Sequence, residues 1–314
     1  MKLYAPKYYK DFACVADRCR HSCCIGWEID VDADSMERYQ SIKSGYGTRI
    51  PDSIDRSTSQ PYFRLAEGKR CPHLNDDGLC NIILNCGEDY LCNICREHPR
   101  FYHDTACGKE VGVGMACEEA CRLILSSDSY DLFDEIEELD EVRELSDTEN
   151  LELRMVLNSR DHILSVLKNS SKTLAEKLEF LEKDYYCSPK PVPDYEWVDC
   201  LCNEMEFLDP SHRELMSAFR SDAPIPPSLD LPLTRAMAYF VYRQASPAED
   251  LIEFSAALGF AVICVRLLAA LADQKGLQTV EELAEYARII SEELEYSDEN
   301  LYTIKEVFYD LIVS

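Results

Sequence analysis

The sequence is short of glycine, with 11 in 314 residues. Gly108, Gly112 and Gly114 lie close together but miss the G-x-G-x-x-G spacing that lets backbone N–H groups approach a phosphate, so an ordinary Rossmann-type cofactor loop is not indicated. Also missing is the C-x3-C-x2-C triad of radical-type iron-sulfur enzymes. Cys19 and Cys23 are followed at the required place by Gly26, and Cys117 and Cys121 by Ile124. Basic residues run short in the second part. Residues 1–127 carry 16 Lys and Arg against 19 Asp and Glu, a net of −3, which leaves −24 of the chain's −27 for residues 128–314. A phosphate backbone needs cations to displace its counterions, so no nucleic-acid partner is expected. The opening MKLYAPKYYKDFAC is charged and aromatic where a secretory signal is uniformly apolar, and a cytoplasmic location is expected. The most apolar run, Phe254 to Ala272, contains Arg266 and reads as a buried helix, so no membrane partner is expected.

What the sequence has in excess is cysteine, 16 in all. In a reducing compartment so many thiols point to metal ligation before disulfides. The first group is Cys14, Cys19, Cys23 and Cys24. Neighbours on an extended chain point to opposite sides, so at most one of Cys23 and Cys24 fits a given tetrahedral centre easily. Cys71 and Cys80 flank Asn75-Asp76-Asp77-Gly78, a hairpin turn signal that brings the two thiols together across a short ribbon. Ile82, Ile83, Cys86, Tyr90, Leu91, Ile94 and Cys95 follow a helical pattern closed before Pro99, with Cys92 and Cys95 able to face one site. His73 and His98 stand among these thiols, and a structural role is expected for His98. Residues 109–116 read as a short strand or extended loop. Glu118 to Ser126 reads as a helix with Cys117 at its start, where a helix N-terminus favours thiolate.

Elsewhere the reading is helical. Asp34 with Glu37 signals a helix reaching toward Gly45, and from Ser129 onward helix follows helix. Capping boxes are read at Ser146/Glu149, Thr173/Glu176, Ser211/Glu214, Ser246/Glu249 and Thr279/Glu282, enough for six to eight helices. Pro-rich breaks fall at Ser188–Asp194 and Asp222–Pro232. Cys264, inside an apolar helix, is expected in the core. The fold expected is mainly α: an irregular cysteine-rich metal-binding domain with short strands over 1–127, then an acidic multi-helical domain over 128–314.

Thiolates bind both zinc and iron-sulfur clusters, commonly through four ligands. Neat paired spacings mark zinc fingers, whereas the spacings here are irregular and spread over about a hundred residues, which favours a cluster. Four runs carry a resemblance: FACVADRCRHSCCIGWEIDV (12–31), CPHLNDDGLCNI (71–82), GEDYLCNICREHPR (87–100) and ACEEACRLIL (116–125). Together they resemble the flagellin lysine-N-methylase family, among the cysteine-rich zinc- or iron-chelating proteins. SEELEYSDENL (291–301) is similar to the family's C-terminal end.

That resemblance implies a 4Fe-4S cluster, with zinc as the alternative, and methyl transfer from S-adenosylmethionine to lysines of flagellin or another lysine-bearing protein. The cysteines matching the family's pattern, and so implied as metal ligands, are Cys14, Cys19, Cys23, Cys24, Cys71, Cys80, Cys95 and Cys117. Cys86, Cys92, Cys107 and Cys121 fall outside it. No catalytic residue and no S-adenosylmethionine-binding residue is assigned. The acidic second part suits a lysine-bearing partner, although a solvated helical surface needs no partner to explain it. A non-enzymatic iron-sulfur or zinc protein, either a redox sensor or a metal-stabilised interaction module, is the competing reading.

Overall fold

The computed structural model describes residues 2–105, 108–127, 132–138, 146–185 and 192–313. It is mainly α, with few and short strands. Two compact units emerge: Ala13–Phe101, and Met1–Phe12 with Tyr102–Ser314. Residues 102–127, grouped from sequence with the cysteine-rich part, thus fall in the second of these.

The cysteine-rich unit, Ala13–Phe101, contains α1 (Ala33–Ser41), β2 (Ile54–Asp55), β3 (Tyr62–Phe63), α2 (Asn81–Cys86) and α3 (Asn93–Glu97). Asp32, not Asp34, caps α1, its carboxylate accepting from the Ser35 N–H. The helical pattern over 82–95 forms two short helices instead of one. Gly87 at φ 99° breaks it, a conformation that closes α2 and that a side chain would resist. With so little regular structure, the unit depends on a small core. Ile29, Val31, Tyr39, Ile50, Ile54, Phe63 and Ile82 pack there with the buried Cys71 and Cys92.

In the other unit β1 (Lys2–Pro6) joins a four-stranded sheet with β4 (Arg100–Thr105), β5 (Gly108–Val113) and β6 (Leu132–Glu138), in the order β4-β5-β1-β6. β1 runs parallel to β5, with Leu3 opposite Lys109, and antiparallel to β6. The strand at 132–138 departs from the helix expected there. Strand pairing with β1, including a 2.6 Å bridge from Lys2 Nζ to Glu135, overrides the helical preference of a Glu-rich run. The helix after β5 is α4 (Glu118–Ser126), with Cys117 in the N-cap position as expected.

Eight further α-helices occupy the described residues: α5 (Asp147–Leu167), α6 (Leu174–Tyr185), α7 (Asp194–Asp199), α8 (Arg213–Met216), α9 (Asp230–Phe240), α10 (Leu251–Lys275), α11 (Val280–Ile290) and α12 (Asp298–Val313). The boxes at Ser146, Thr173 and Thr279 form. Those at Ser211 and Ser246 do not. Asp209 caps a 3-10 turn ahead of α8, and Ser246 is buried, its hydroxyl taken by Arg160 at 3.3 Å, so α10 starts from Asp250. The break at Asp222–Pro232 leads through a 3-10 turn into α9, and most of Ser188–Asp194 lies outside the described residues.

α10 is long and apolar enough to cross a membrane by composition, but 94% of its apolar window is buried inside the protein. α9, α11 and α12 pack around it, and Cys264 lies fully buried within it. Gly259 admits the ring of Phe308 where a side chain would collide. π-helical turns follow α9 (Val241–Ala245) and α11 (Ser291–Glu295). From them a buried network forms: Glu295 accepts from Ser291 Oγ (2.5 Å), Tyr239 OH (2.8 Å) and Gln244 Nε2 (3.0 Å), and pairs with Arg243 at 3.2 Å. With every lone pair engaged, this carboxylate reads as an organiser of the helix ends.

Candidate metal centre

Three stretches of chain meet inside Ala13–Phe101. The first turns at Ser22-Cys23-Cys24, where Ile25 N–H donates to Ser22 O (3.2 Å) and Trp27 Nε1 to Cys23 O (2.7 Å). The second is tied to it directly, as Cys71 N–H donates to Cys24 O at 2.7 Å and Ile25 bridges Arg70. This second stretch makes the expected ribbon. Leu74 pairs with Cys80, Asn75 N–H reaches Leu79 O, and Gly78 takes φ 76°. The third enters α3, with Cys92 as its first flanking residue and Cys95 one turn on, sulfur to sulfur 3.4 Å.

Electrostatics identify which thiols share one space. Burial pushes the Cys71 thiol up to about 12, and the charges of Cys24, Cys80 and Cys92 push the same way. Burial raises Cys80 too, again with Cys24 and Cys92 contributing. Cys95 is raised by its hydrogen bond to Cys92, by burial, and by the charges of Cys92, Cys24 and Cys71. Its partner Cys92 is lowered, because the Cys95 thiol stabilises its thiolate. Cys24 is lowered to about 7 by the Cys23 thiol against the effect of burial, with Ser22 and Arg70 assisting. These shifts link Cys24, Cys71, Cys80, Cys92 and Cys95, and all five pack in or against one core. Crowding acids in a buried space opposes ionising them together, and a cation removes that penalty by holding thiolates.

Of the eight sequence-predicted ligands, Cys24, Cys71, Cys80 and Cys95 belong to this group. Cys23 is exposed beside it, Cys14 is exposed, and Cys19 donates to His21 O at 3.1 Å. Cys117 lies in the other unit, ahead of α4. Cys92, left aside on sequence pattern, is buried within the group, and its C-x2-C spacing to Cys95 was the signal for it. Cys107 lies outside the described residues. Among the described residues no three cysteine sulfurs lie within 4.8 Å of one another.

His73, only 3% exposed, is engaged on both ring nitrogens, by Tyr46 OH and Ser53 Oγ at 2.9 Å each. Burial lowers its pKa to about 4, so it stays neutral and pins the ribbon carrying Cys71 and Cys80. His98 lies against Trp27, ring centroids 6.2 Å apart. In the helical unit His212, Glu292 and Glu293 also bring ligand atoms within 4.8 Å. Glu293 is already spent on the Leu208 and Asp209 N–H groups and on His212 Nδ1 (2.6 Å), and Glu292 on Arg288 (2.7 Å), which accounts for this set as a loop anchor.

Comparison with known proteins agrees with the resemblance read from the cysteine runs. The chain is 25% identical over 135 residues to the lysine-N-methylases of Salmonella choleraesuis (strain SC-B67) and Salmonella typhimurium (strain LT2), covering 38% of this chain and 32% of each relative. It is 26% identical over 127 residues to the flagellar biosynthetic protein FliU of Salmonella muenchen, covering 38% of this chain and 75% of that one. The chain spans about a third of the length of the two lysine-N-methylases it matches. No family model and no solved structure matches it.

Proposed function

We propose that this chain is a cytoplasmic, S-adenosylmethionine-dependent protein lysine N-methyltransferase acting on flagellin, built around a cysteine-ligated 4Fe-4S cluster. The observation that carries the reading is the convergence of Cys24, Cys71, Cys80, Cys92 and Cys95, in a chain whose curated relatives are named lysine-N-methylase. The donor set fits a soft metal centre, since it consists of thiols alone, is partly buried, and keeps its one internal histidine engaged elsewhere. Four of the five would hold the cluster, and the fifth or Cys23 would lie beside it.

Zinc and a cluster space their ligand sulfurs differently. With Zn–S near 2.3 Å a tetrahedral zinc site draws its sulfurs to about 3.8 Å apart. A cluster interposes its own iron and sulfide between the ligands and tolerates wider separation. When bound, such a cluster supplies redox-active iron tuned by its surroundings. For the transfer itself, the target amine must be neutral, because an ammonium has no lone pair to accept a methyl group.

Anaerobic purification with metal analysis tests the centre. About four irons per chain and a brown protein support it, and a colourless zinc-replete protein sinks it. Incubating the iron-replete, reduced chain with S-adenosylmethionine and flagellin tests the activity by intact mass. Single-methyl steps on flagellin support it, while their absence with iron present moves the reading to a non-enzymatic iron-sulfur protein.

A further inference from the structure

Within Ala13–Phe101 an open cleft of about 540 Å3 lies between α1 and α3, lined by Asp34, Glu37, Arg38, Ser41, Asn93 and Arg96. Its size suits a small molecule. The side chains that line it end in two carboxylates, two guanidinium groups, a hydroxyl and an amide, and their aliphatic stems complete the wall. Charges of both signs in one cleft match a ligand that itself carries both, since a guanidinium fork takes a carboxylate while carboxylates take an ammonium.

The wall is organised in advance. The Asp32 carboxylate accepts from Ser35 N–H (2.9 Å), Ser35 Oγ (2.9 Å) and Asn93 N–H (2.7 Å), which ties the start of α1 to the start of α3. Arg38 is fixed by bonds to Asp89 O, Leu91 O and Ser35 Oγ, and serves as a positioned charge. Arg96 gives one nitrogen to Leu91 O at 2.8 Å, which sets the plane of its guanidinium, and among the described residues the rest of the fork makes no further bond. Asn93 and Arg96 each directly follow one of the paired thiols, Cys92 and Cys95. A molecule in the cleft is therefore held by the same short helix that carries two members of the thiol group.

We propose that this cleft is a subsite for the zwitterionic end of an α-amino acid, its carboxylate on Arg96 and its ammonium between Asp34 and Glu37. The assignment deepens the methyl-transfer reading and rests on it only in naming the full ligand, S-adenosylmethionine, whose amino-acid end the cleft would take.

Titration calorimetry on the full, metal-replete chain under anaerobic conditions tests this with three probes: S-adenosylhomocysteine, 5′-methylthioadenosine, which keeps the nucleoside thioether but lacks the amino-acid end, and free L-methionine. Wild-type chain is expected to bind S-adenosylhomocysteine at least tenfold tighter than methylthioadenosine. Arg96→Ala and Glu37→Gln are each expected to weaken S-adenosylhomocysteine and methionine at least tenfold while leaving methylthioadenosine unchanged. Both positions are exposed, so an unaltered melting curve verifies the fold of each variant. Unchanged S-adenosylhomocysteine binding in both variants overturns the cleft and leaves the methyl-transfer reading standing. Arg96-dependent methionine binding without S-adenosylhomocysteine binding supports the cleft and counts against methyl transfer. No saturable binding of either amino-acid ligand to wild-type chain overturns the proposal.

Discussion

Burial of His73 predicts that the cysteine-rich unit loses stability in acid, and that His73→Gln removes that loss. In the folded chain its pKa is lowered by burial from 6.5 to about 4. Between those values the unfolded chain takes up a proton that the folded chain refuses, so the unfolded state binds more protons and stability rises with pH across about 4 to 6.5 and is flat above. A fall from 6.5 to about 4, at about 1.4 kcal/mol per pH unit, removes about 3 kcal/mol. The ring sits between Tyr46 and Ser53 and against Phe63, centroids 4.8 Å apart, and because the Ser53 hydroxyl donates to Ile50 O, a charged imidazolium would need the Tyr46 hydroxyl to turn from donating to accepting. Trp27 reports on this unit, and a Trp197→Phe background leaves it as the sole tryptophan. Urea titrations followed by Trp27 fluorescence at several pH values between 4 and 7.5 should show wild-type stability falling with acid about 3 kcal/mol further than that of His73→Gln. Because His73→Gln leaves every cysteine in place, the proton dependence of the thiols cancels in the difference. Parallel curves for the two chains would refute the argument.

Iron content separates the thiols. Anaerobically reconstituted Cys92→Ser is expected to fall well below the roughly four irons of the loaded chain, while Cys14→Ser keeps them, and the reverse pattern would move the centre toward the first cysteine group. In the helical unit, Arg160 and Glu110 form a pair at 2.9 Å with both side chains almost wholly buried. Arg160→Ala strands a buried carboxylate and should cost about 3–5 kcal/mol in chemical denaturation, whereas Arg160→Met with Glu110→Leu should cost far less; equal losses would locate the effect in packing instead of charge.

Local chemistry made much of this fold legible. The boxes at Ser146, Thr173 and Thr279 start helices because a hydroxyl and a glutamate three residues on satisfy each other's N–H groups without outside help. The identical pattern at Ser246 fails because tertiary structure claims the serine for Arg160, something no local window contains. β6 was hidden for the same reason, since its pairing partner lies more than a hundred residues away at the chain's start. In the thiol group, Cys71 and Cys80 were legible through the Asp-Gly turn. Cys92, outside the family pattern, lies in the group at the C-x2-C spacing from Cys95 that the sequence shows. Cys23 and Cys24 were legible as neighbours of which at most one fits a given centre easily, and the Cys71 N–H bond to Cys24 O ties that turn to the ribbon.

The position of the cysteine-rich unit in the chain would give a metal bound there a second consequence. Leu3 pairs with Lys109, so the β1 to β5 pairing closes a loop of about a hundred residues, costing about 4 kcal/mol of chain entropy if that loop is unstructured. Ala13–Phe101 makes up most of the loop, and once it is compact there is far less free chain left to order. Its core is small and interleaved with thiols, and short helices add little stability of their own. An ion or cluster held by those thiols would therefore contribute its binding energy to folding the unit, and through the shortened loop to docking the N-terminal strand. Removing the metal should thus increase hydrogen exchange not only around Cys71–Cys95 but also at the amides of Lys2–Pro6, while the amides of α10 remain protected. Unchanged protection of Lys2–Pro6 after complete metal removal would show that the sheet forms independently of the centre.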